Sequence, residues 1–265
     1  MLDFMYDLPN WMLFLVCVLL TGLLVVSAAA SMWLLRLIWP NRHKTTMIST
    51  MLSGVLLPTG MVVAFVASDI WQHEAKGQTA VEQEAMAVGD ILRIAQHLPT
   101  DLREQLTGLT DDYIREVVEV EWPLMAKGQA SRQADDSLDA LAYMAIQLEV
   151  LAEQAKSAPA ILLRQSAKDL RHYTQQVDVA RNHRLLVSHS RVAATKWTTV
   201  LVLLFVAACV ICEIHLTQRR ALVMALGLFT LGFGATMYLI ASYERPFTGA
   251  TIIEPTSMTL LLVRN

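Results

Sequence analysis

Four long apolar stretches, separated by polar segments, dominate the pattern of this chain; they run over residues 11–39, 47–70, 197–214 and 221–243. Each approaches the ~20 residues that a helix needs to cross the hydrocarbon core of a bilayer. The first is too long for the apolar segment of a cleaved signal peptide, which has about 7–15 residues. The connections within each pair of stretches are short. The pattern therefore predicts two transmembrane helical hairpins.

The polar segment between the second and third stretches predicts a helical, water-facing domain. It has no alternating β pattern and no Asn-Gly or Asp-Gly turn, and its apolar residues recur at helical spacing. We expect four helices, the first over about 72–98. Thr100 is predicted to cap the second, which Pro123 disturbs, and Ser131 to cap the third. The fourth begins near 157–159.

This pattern predicts an all-α membrane protein in which two hairpins flank one helical soluble domain. The predicted parts are an N-terminal transmembrane hairpin (1–70), a helical water-facing domain (71–196), a C-terminal transmembrane hairpin (197–243) and a C-terminal tail (244–265). Short loops that are rich in Lys and Arg usually lie on the cytoplasmic side of the membrane. The two short connections carry Arg36, Arg42, Lys44, Arg219 and Arg220, whereas residues 1–10 carry no basic residue. This bias places the helical domain outside the cytoplasm.

Composition supports the membrane assignment and excludes several function classes. The chain is 54% hydrophobic and 17% charged, whereas a soluble domain has roughly 25% charged residues. With 21 basic and 24 acidic residues, it lacks the basic excess of a nucleic-acid-binding protein. The three cysteines form neither a disulfide framework nor a metal-binding pair. No Walker, GxGxxG, HExxH or GxSxG motif occurs. We therefore predict no enzyme activity, metal or cofactor.

Charge is distributed unevenly within the predicted soluble domain. Residues 69–153 hold 17 acidic and 6 basic residues, and residues 156–196 hold 8 basic and 2 acidic ones. Arg164, Lys168 and Arg171 share one helix face. This basic helix is interpreted either as packing beside acidic helices of its own subunit or as an electropositive vestibule that concentrates anions ahead of a pore. The sequence leaves both interpretations open.

Further charged residues extend this picture. Arg181, Arg184 and Arg191 continue the basic stripe toward the third apolar stretch. Five acidic residues lie close together in the sequence: Asp111, Asp112, Glu116, Glu119 and Glu121. We interpret them as an exposed helix face, with a divalent-cation site as the alternative.

The second apolar stretch is the best candidate for a pore wall. Leu57, Met61 and Phe65 repeat every four residues, with Gly54 and Pro58 close by. A stripe of bulky apolar groups can gate a pore by dewetting. Ordinary helix packing produces the same stripe and remains the alternative.

Two groups near the membrane boundary have candidate roles. Glu213 and His215 end the third stretch just before Arg219 and Arg220, which favours an interfacial ion pair over gating or proton sensing. The run after the fourth stretch is interpreted as a structural clamp, with a place at the pore mouth as the alternative. Its residues are Glu244, Arg245, Pro246, Phe247 and Gly249.

Several segments together resemble the bacterial bestrophin-like domain family. They are VVAFVASDIWQHEA, VEQEAMAVGDILRIAQHLP, DDYIREVVEVEWPLM and SYERPFTGATIIEP, and the resemblance covers about residues 47–255. Its landmarks are Glu84-Ala85, Tyr113, Glu121-Trp122, His215, Arg245-Pro246-Phe247 and Gly249. The resemblance implies four membrane helices around a helical domain. By analogy with bestrophins, it also implies a homo-oligomeric, pentameric anion channel whose second membrane helix lines the pore.

The resulting hypothesis is a chloride-conducting channel in the inner membrane of a bacterium, whose partners are further copies of the chain, the lipid bilayer and small anions. The alternative is a membrane sensor or assembly subunit. Its helical domain would bind a ligand or partner without any conductance.

Overall fold

The computed structural model describes residues 9–38, 49–155, 158–189, 194–215, 218–248 and 252–264. Within these ranges the chain is helical and contains no strand. The helices are α1 (Asn10–Ile38), α2 (Ser49–Gln96), α3 (Thr100–Arg115), a π-helical segment (Glu116–Glu121), α4 (Trp122–Met125), α5 (Arg132–Gln154), α6 (Ala158–His189), α7 (Ala194–His215), α8 (Arg219–Tyr243) and α9 (Thr256–Arg264). The all-helical fold class is confirmed.

The chain divides into two compact units. The membrane unit comprises Met1–Gln72 and Arg191–Thr251, and the helical unit comprises His73–Ser190 and Ile252–Asn265. Four helices of the described chain, α1, α2, α7 and α8, are long and apolar enough to cross a membrane. The predicted boundaries of the four parts and the hairpin pairing remain predictions.

In the membrane unit, α1 packs against α7 and α8, and α7 packs against α8. The first part of α2 joins the same apolar core through Val63, Val66 and Ile70. Helices α1 and α8 approach closely at Gly234, where a Cβ atom would lie 2.9 Å from Val18 Cγ2 and 3.0 Å from Val18 Cα. A small residue such as glycine at the contact allows two membrane helices to approach closely and gain van der Waals contact.

In the helical unit, α5 packs along α6, α3 packs on α5, and α9 packs on α3. Fully buried apolar side chains fill the space between these helices, including Leu106, Ile114, Leu141, Leu148 and Leu170. Ser131 occupies the N-cap of α5, and its hydroxyl accepts a hydrogen bond from the Ala134 N–H at 3.4 Å. This cap confirms the prediction from sequence.

The structure differs from the predicted helices in two places. The second apolar stretch and the first helix of the soluble domain form one continuous helix, α2, because no Pro or Gly separates them at residues 70–72. The prediction of Thr100 as an N-cap is wrong. Thr100 is already the first helical residue, and Pro99 takes the cap position in an extended conformation without a side-chain bond.

The π-helical segment was not predicted. Its last residue, Glu121, is followed by Trp122, whose N–H donates to the Val117 carbonyl five residues back. Pro123 follows, and a proline ring clashes with the carbonyl four residues before it. A wider turn relieves that clash, and such segments are frequent at functional sites. The segment thus changes which side chains of the acidic run face inward.

Candidate functional site

The proposed pore stripe lies on the outer surface of α2. Leu57, Met61 and Phe65 expose 69%, 53% and 69% of their surface, whereas Thr59 and Val63 on the other side are buried. The structure therefore places all three predicted residues on one face that the described part of the chain does not cover. Such a face contacts lipid, a pore or another copy of the chain.

Next to this stripe, Pro58 interrupts the backbone hydrogen bonds of α2. Pro58 has no N–H, so it donates nothing to the carbonyl of Gly54 one turn earlier. The buried Thr59 hydroxyl donates to the Val55 carbonyl at 2.7 Å. A Cβ added to Gly54 would meet nothing within 4 Å, so the side of the helix at this residue is open. A membrane helix tolerates such a break where water or a neighbouring helix covers it.

Two polar contacts link helices of the membrane unit near Asp69, where the apolar part of α2 ends. Lys196 Nζ on α7 lies 2.6 Å from Asp69 Oδ2 on α2. Trp197 Nε1 donates to Glu244 Oε1, just after α8, at 3.3 Å. The first contact fixes the middle of α2 to the start of α7, and the second fixes the start of α7 to the segment after α8.

The run after α8 folds inward. Pro246 and Phe247 are buried, and Arg245 is half-buried. This geometry favours the predicted structural clamp over the pore-mouth role. Gly249 lies outside the described residues.

At the other end of α7, His215 Nδ1 lies 3.1 Å from the carbonyl of Ile211 in the same helix. Glu213 is half-buried, and Arg219 and Arg220 are exposed at the start of α8. The ion pair predicted between these residues remains a prediction.

The helical unit contains a buried charge cluster, made of Glu84, Tyr113, Glu121, Arg181 and Arg184. Arg184 donates from Nε to Glu84 Oε2 at 2.6 Å and from Nη2 to Glu84 Oε1 at 2.9 Å. The Tyr113 hydroxyl donates to the same Oε1 at 2.7 Å. None of these three side chains is exposed, so a carboxylate from α2 is fully sequestered from water.

Glu121 forms the second half of the cluster. It accepts from Arg181 Nη2 at 2.6 Å, from Arg184 Nη2 at 2.8 Å and from the Ser131 N–H at 3.1 Å. Arg181 also bonds Asp135 at the edge of the cluster. The guanidinium of Arg184 stacks over the Trp122 ring, 4.9 Å from its centroid. Two buried arginines thus balance two buried glutamates.

The environment shifts the ionisation of these groups in defined directions. Burial by itself would raise the pKa of Glu121, but the hydrogen bonds and charges of Arg181 and Arg184 outweigh it, so the pKa is lowered. Burial, and then the neighbouring charge of Glu84, raise the pKa of Tyr113 well above its usual value. At neutral pH Glu121 therefore stays ionised and Tyr113 stays protonated. The hydrogen bonds and ion pairs of the cluster hold together the helices that carry its side chains.

Several expectations about charged residues change in the light of this cluster. Arg181 and Arg184, which were predicted to continue the basic stripe, are buried against Glu121 and Glu84, as expected if the basic helix packs beside acidic helices of its own subunit. Arg191 lies outside the described residues. Glu121 likewise does not belong to an exposed acidic face. No group of side chains suited to a metal ion occurs in the described part of the chain.

The anion-vestibule candidates separate into two kinds. Arg171 pairs with Glu149 of α5, as expected if the basic helix packs beside acidic ones of its own subunit. Arg164 and Lys168 are exposed on α6. Of the three candidates, these two present positive charge outward without an ion pair to another described helix, whereas Arg171 is paired.

Sequence reasoning missed the cluster as a site, although four of the family landmarks, Glu84, Tyr113, Glu121 and Trp122, meet there. Their scattered positions gave no hint that they converge. The two arginines are spaced three residues apart, which places them on one helix face. That face points toward the core because Val177, Ala180 and Val187 on α6 are also buried. The apolar residues around Arg181 and Arg184 were therefore the sequence signal that could have predicted their burial.

Comparison with known proteins agrees with this architecture. A crystal structure of a bacterial bestrophin homologue from Klebsiella pneumoniae, in a mutated form, matches with a TM-score of 0.62 and 12% identity, over 95% of this chain and 96% of that one. A zinc-phased structure of a bestrophin homologue from the same organism matches with a TM-score of 0.61 and 12% identity, over 94% and 96% of the two chains. A crystal structure described as that of a membrane protein matches with a TM-score of 0.62 and 11% identity, over 95% and 96%.

At these identities the structural likeness shows the fold alone. No curated protein matches the sequence. The family model for the bestrophin-like domain, however, matches residues 10–258. This match covers nearly the whole chain, so the protein belongs to the bestrophin-like domain family.

Proposed function

We propose that the chain assembles into a homo-oligomeric channel that conducts anions, chloride among them, with α2 lining the pore. The observation that carries this proposal is the exposed stripe of Leu57, Met61 and Phe65 on a membrane-spanning helix. Membership of the bestrophin-like family supports it, since the resemblance to bestrophins implies a pore lined by the second membrane helix.

The position of the stripe has a consequence for assembly. It lies on the outside of a single chain, so a pore that it lines requires several copies arranged around an axis. Closed rotational symmetry is the usual arrangement of identical subunits in homo-oligomers. A pentamer is the stoichiometry that the resemblance implies.

Anion preference is proposed to come from the exposed basic side chains of α6. Arg164 and Lys168 are exposed and lie one turn apart. If this face borders the ion pathway, it raises the local anion concentration. Arg171 contributes less because Glu149 offsets its charge.

Chloride flux into liposomes that contain the purified protein tests this proposal. We expect saturable, protein-dependent chloride flux that exceeds the flux of cations in matched liposomes. A protein that reconstitutes as a stable oligomer and passes no ions would contradict the channel proposal.

The alternative function, a membrane sensor or assembly subunit, is supported by a groove between α2 and α6 of the helical unit. Its volume is about 600 Å³, and Met86, Asp90, His172 and Val179 line it. Ligand sites commonly combine apolar walls with a few polar groups. Binding to the helical domain without ion flux would favour this function.

A further inference from the structure

The exposed face of α2 that carries the pore stripe continues past Phe65 into polar residues. Ser68 and Gln72 follow Phe65 by three and seven residues, which is about one and two helical turns. Both side chains are exposed, whereas Val66 and Ile70 on the other side of the helix are buried in the core of the membrane unit. Ser68 and Gln72 therefore extend the same uncovered face to the end of the apolar part of α2.

These two side chains bond each other in a way that leaves donors free. Gln72 Nε2 donates to Ser68 Oγ at 3.3 Å. Hydroxyls on helices commonly donate to the carbonyl four residues earlier, as those of Thr59 and Thr198 do at 2.7 and 2.8 Å. The Ser68 oxygen accepts instead, and its O–H donates to no carbonyl among the described residues. The Ser68 O–H and the second N–H of the Gln72 amide can therefore donate to an ion that passes this face.

The charge beside this pair is offset within the membrane unit. Asp69 follows Ser68 directly, and its Oδ2 lies 2.6 Å from Lys196 Nζ on α7. The ammonium group reduces the repulsion that this carboxylate exerts on a nearby anion. Ser68 and Gln72 are themselves uncharged. Uncharged donors bind an anion weakly enough for it to leave again, as conduction requires.

The order of the two parts of this face matches the hydration of an anion. In an apolar constriction an anion loses part of its water shell, and chloride loses more than a large, weakly hydrated anion such as thiocyanate. Donors at the end of the constriction replace the lost water, since hydrogen-bonding groups that line a pore set its selectivity. We infer that Ser68 and Gln72, one pair from each copy, form an anion-binding ring that favours chloride over weakly hydrated anions. This inference rests on the proposed function.

Reversal potentials of the purified full-length protein in planar lipid bilayers test it, with chloride on one side and thiocyanate on the other. They give a permeability ratio that does not depend on the number of channels. Ser68→Ala removes the hydroxyl, and Gln72→Met removes the amide but keeps the length of the side chain. We expect each to raise the thiocyanate-to-chloride ratio at least about twofold, because each removes a donor to the anion from every copy.

Thr198 supplies the matched control. It is exposed near the start of α7, two residues after Lys196, and its hydroxyl donates to the Ala194 carbonyl. Thr198→Ala is therefore expected to leave the ratio unchanged. An unchanged ratio in Ser68→Ala and Gln72→Met, in a protein that conducts chloride, would overturn the inference and leave the proposed function standing. An equal rise in Thr198→Ala would also overturn it. Absence of chloride current in the parent protein would contradict the proposed function, and the inference would fall with it.

Discussion

The guanidinium of Arg184 donates two hydrogen bonds, of 2.6 and 2.9 Å, to the carboxylate of Glu84, which lies one hundred residues earlier in the chain. Glu84 lies on α2, the helix that also carries the proposed pore stripe, and Arg184 lies on α6. Both side chains are fully buried. The pair therefore fixes the two longest helices of the helical unit to each other.

Removing one partner of this pair is expected to destabilise the protein strongly. Arg184→Met leaves Glu84 buried without its cation, and breaking a buried pair in this way costs about 3–5 kcal/mol. Unfolding of the purified protein in detergent, followed by circular dichroism, measures the loss. The exposed Arg132 offers the matched control, since Arg132→Met removes the same charge at the surface.

The double variant Glu84→Leu with Arg184→Met sharpens this prediction. It removes both charges, so we expect it to be more stable than Arg184→Met alone. If the two losses simply added, the buried pair would not be the cause of the destabilisation.

The low pKa of Glu121 predicts how stability changes with pH. An unfolded Glu titrates at roughly 4.3, and the folded value lies below that because of Arg181 and Arg184. The ionised carboxylate therefore stabilises the folded state at neutral pH. This stabilisation is lost as the pH falls from the unfolded value through the folded one. Glu121→Gln is expected to be less stable than the parent protein at neutral pH, and the difference should narrow in acid. A difference that stays constant across this range would contradict the assignment.

The sequence predicted the membrane helices and the Ser131 cap because both depend on local pattern. Apolar length and the residues around a cap are read within one helix. The cluster of Glu84, Glu121 and Arg184 depends on contacts between helices that are far apart in sequence. Neither charge counts nor helical spacing determines which charged face turns inward. The π-helical segment escaped prediction because the effect of Pro123 extends into the preceding turn.

The exposed stripe on α2 is a second case in which the local sequence pattern predicts only part of the structure. The spacing of Leu57, Met61 and Phe65 placed them on one face, and in the structure no described segment covers this face. What covers it in the assembled protein depends on surfaces of other molecules. Those surfaces are not encoded in the local pattern.

The close approach of α1 and α8 predicts a size limit at Gly234. A Cβ atom there would lie 3.0 Å from the Val18 backbone, so Gly234→Ala forces the helices apart. Overpacking of this kind costs about 1–3 kcal/mol. Gly232 lies on the same helix, and a Cβ there meets nothing within 4 Å. We expect Gly234→Ala to lower the thermal unfolding temperature and Gly232→Ala to leave it nearly unchanged. Equal effects of the two substitutions would exclude the contact as the cause.

The orientation of the helical domain can be measured by labelling a single cysteine. Asp112 is exposed on α3, so Asp112→Cys in a background without Cys17, Cys209 and Cys212 presents one accessible thiol. The basic residues of the short connections predict that this thiol lies outside the cytoplasm. A membrane-impermeant maleimide should then label it in intact cells. Labelling only after the cells are opened would reverse the predicted orientation.

The pore stripe gives the most direct prediction about function. If Phe65 lines an apolar constriction, Phe65→Ala widens it and eases wetting, so the chloride flux through liposomes should rise. Met61→Ala should act in the same direction. Leu228 on α8 is 70% exposed, close to the 69% of Phe65, which makes Leu228→Ala a control for the loss of an exposed apolar side chain. Unchanged flux in both α2 variants, or the same change in the α8 variant, would contradict the assignment of the stripe to the pore wall. A rise confined to the α2 variants would place α2 at the wall of the ion pathway.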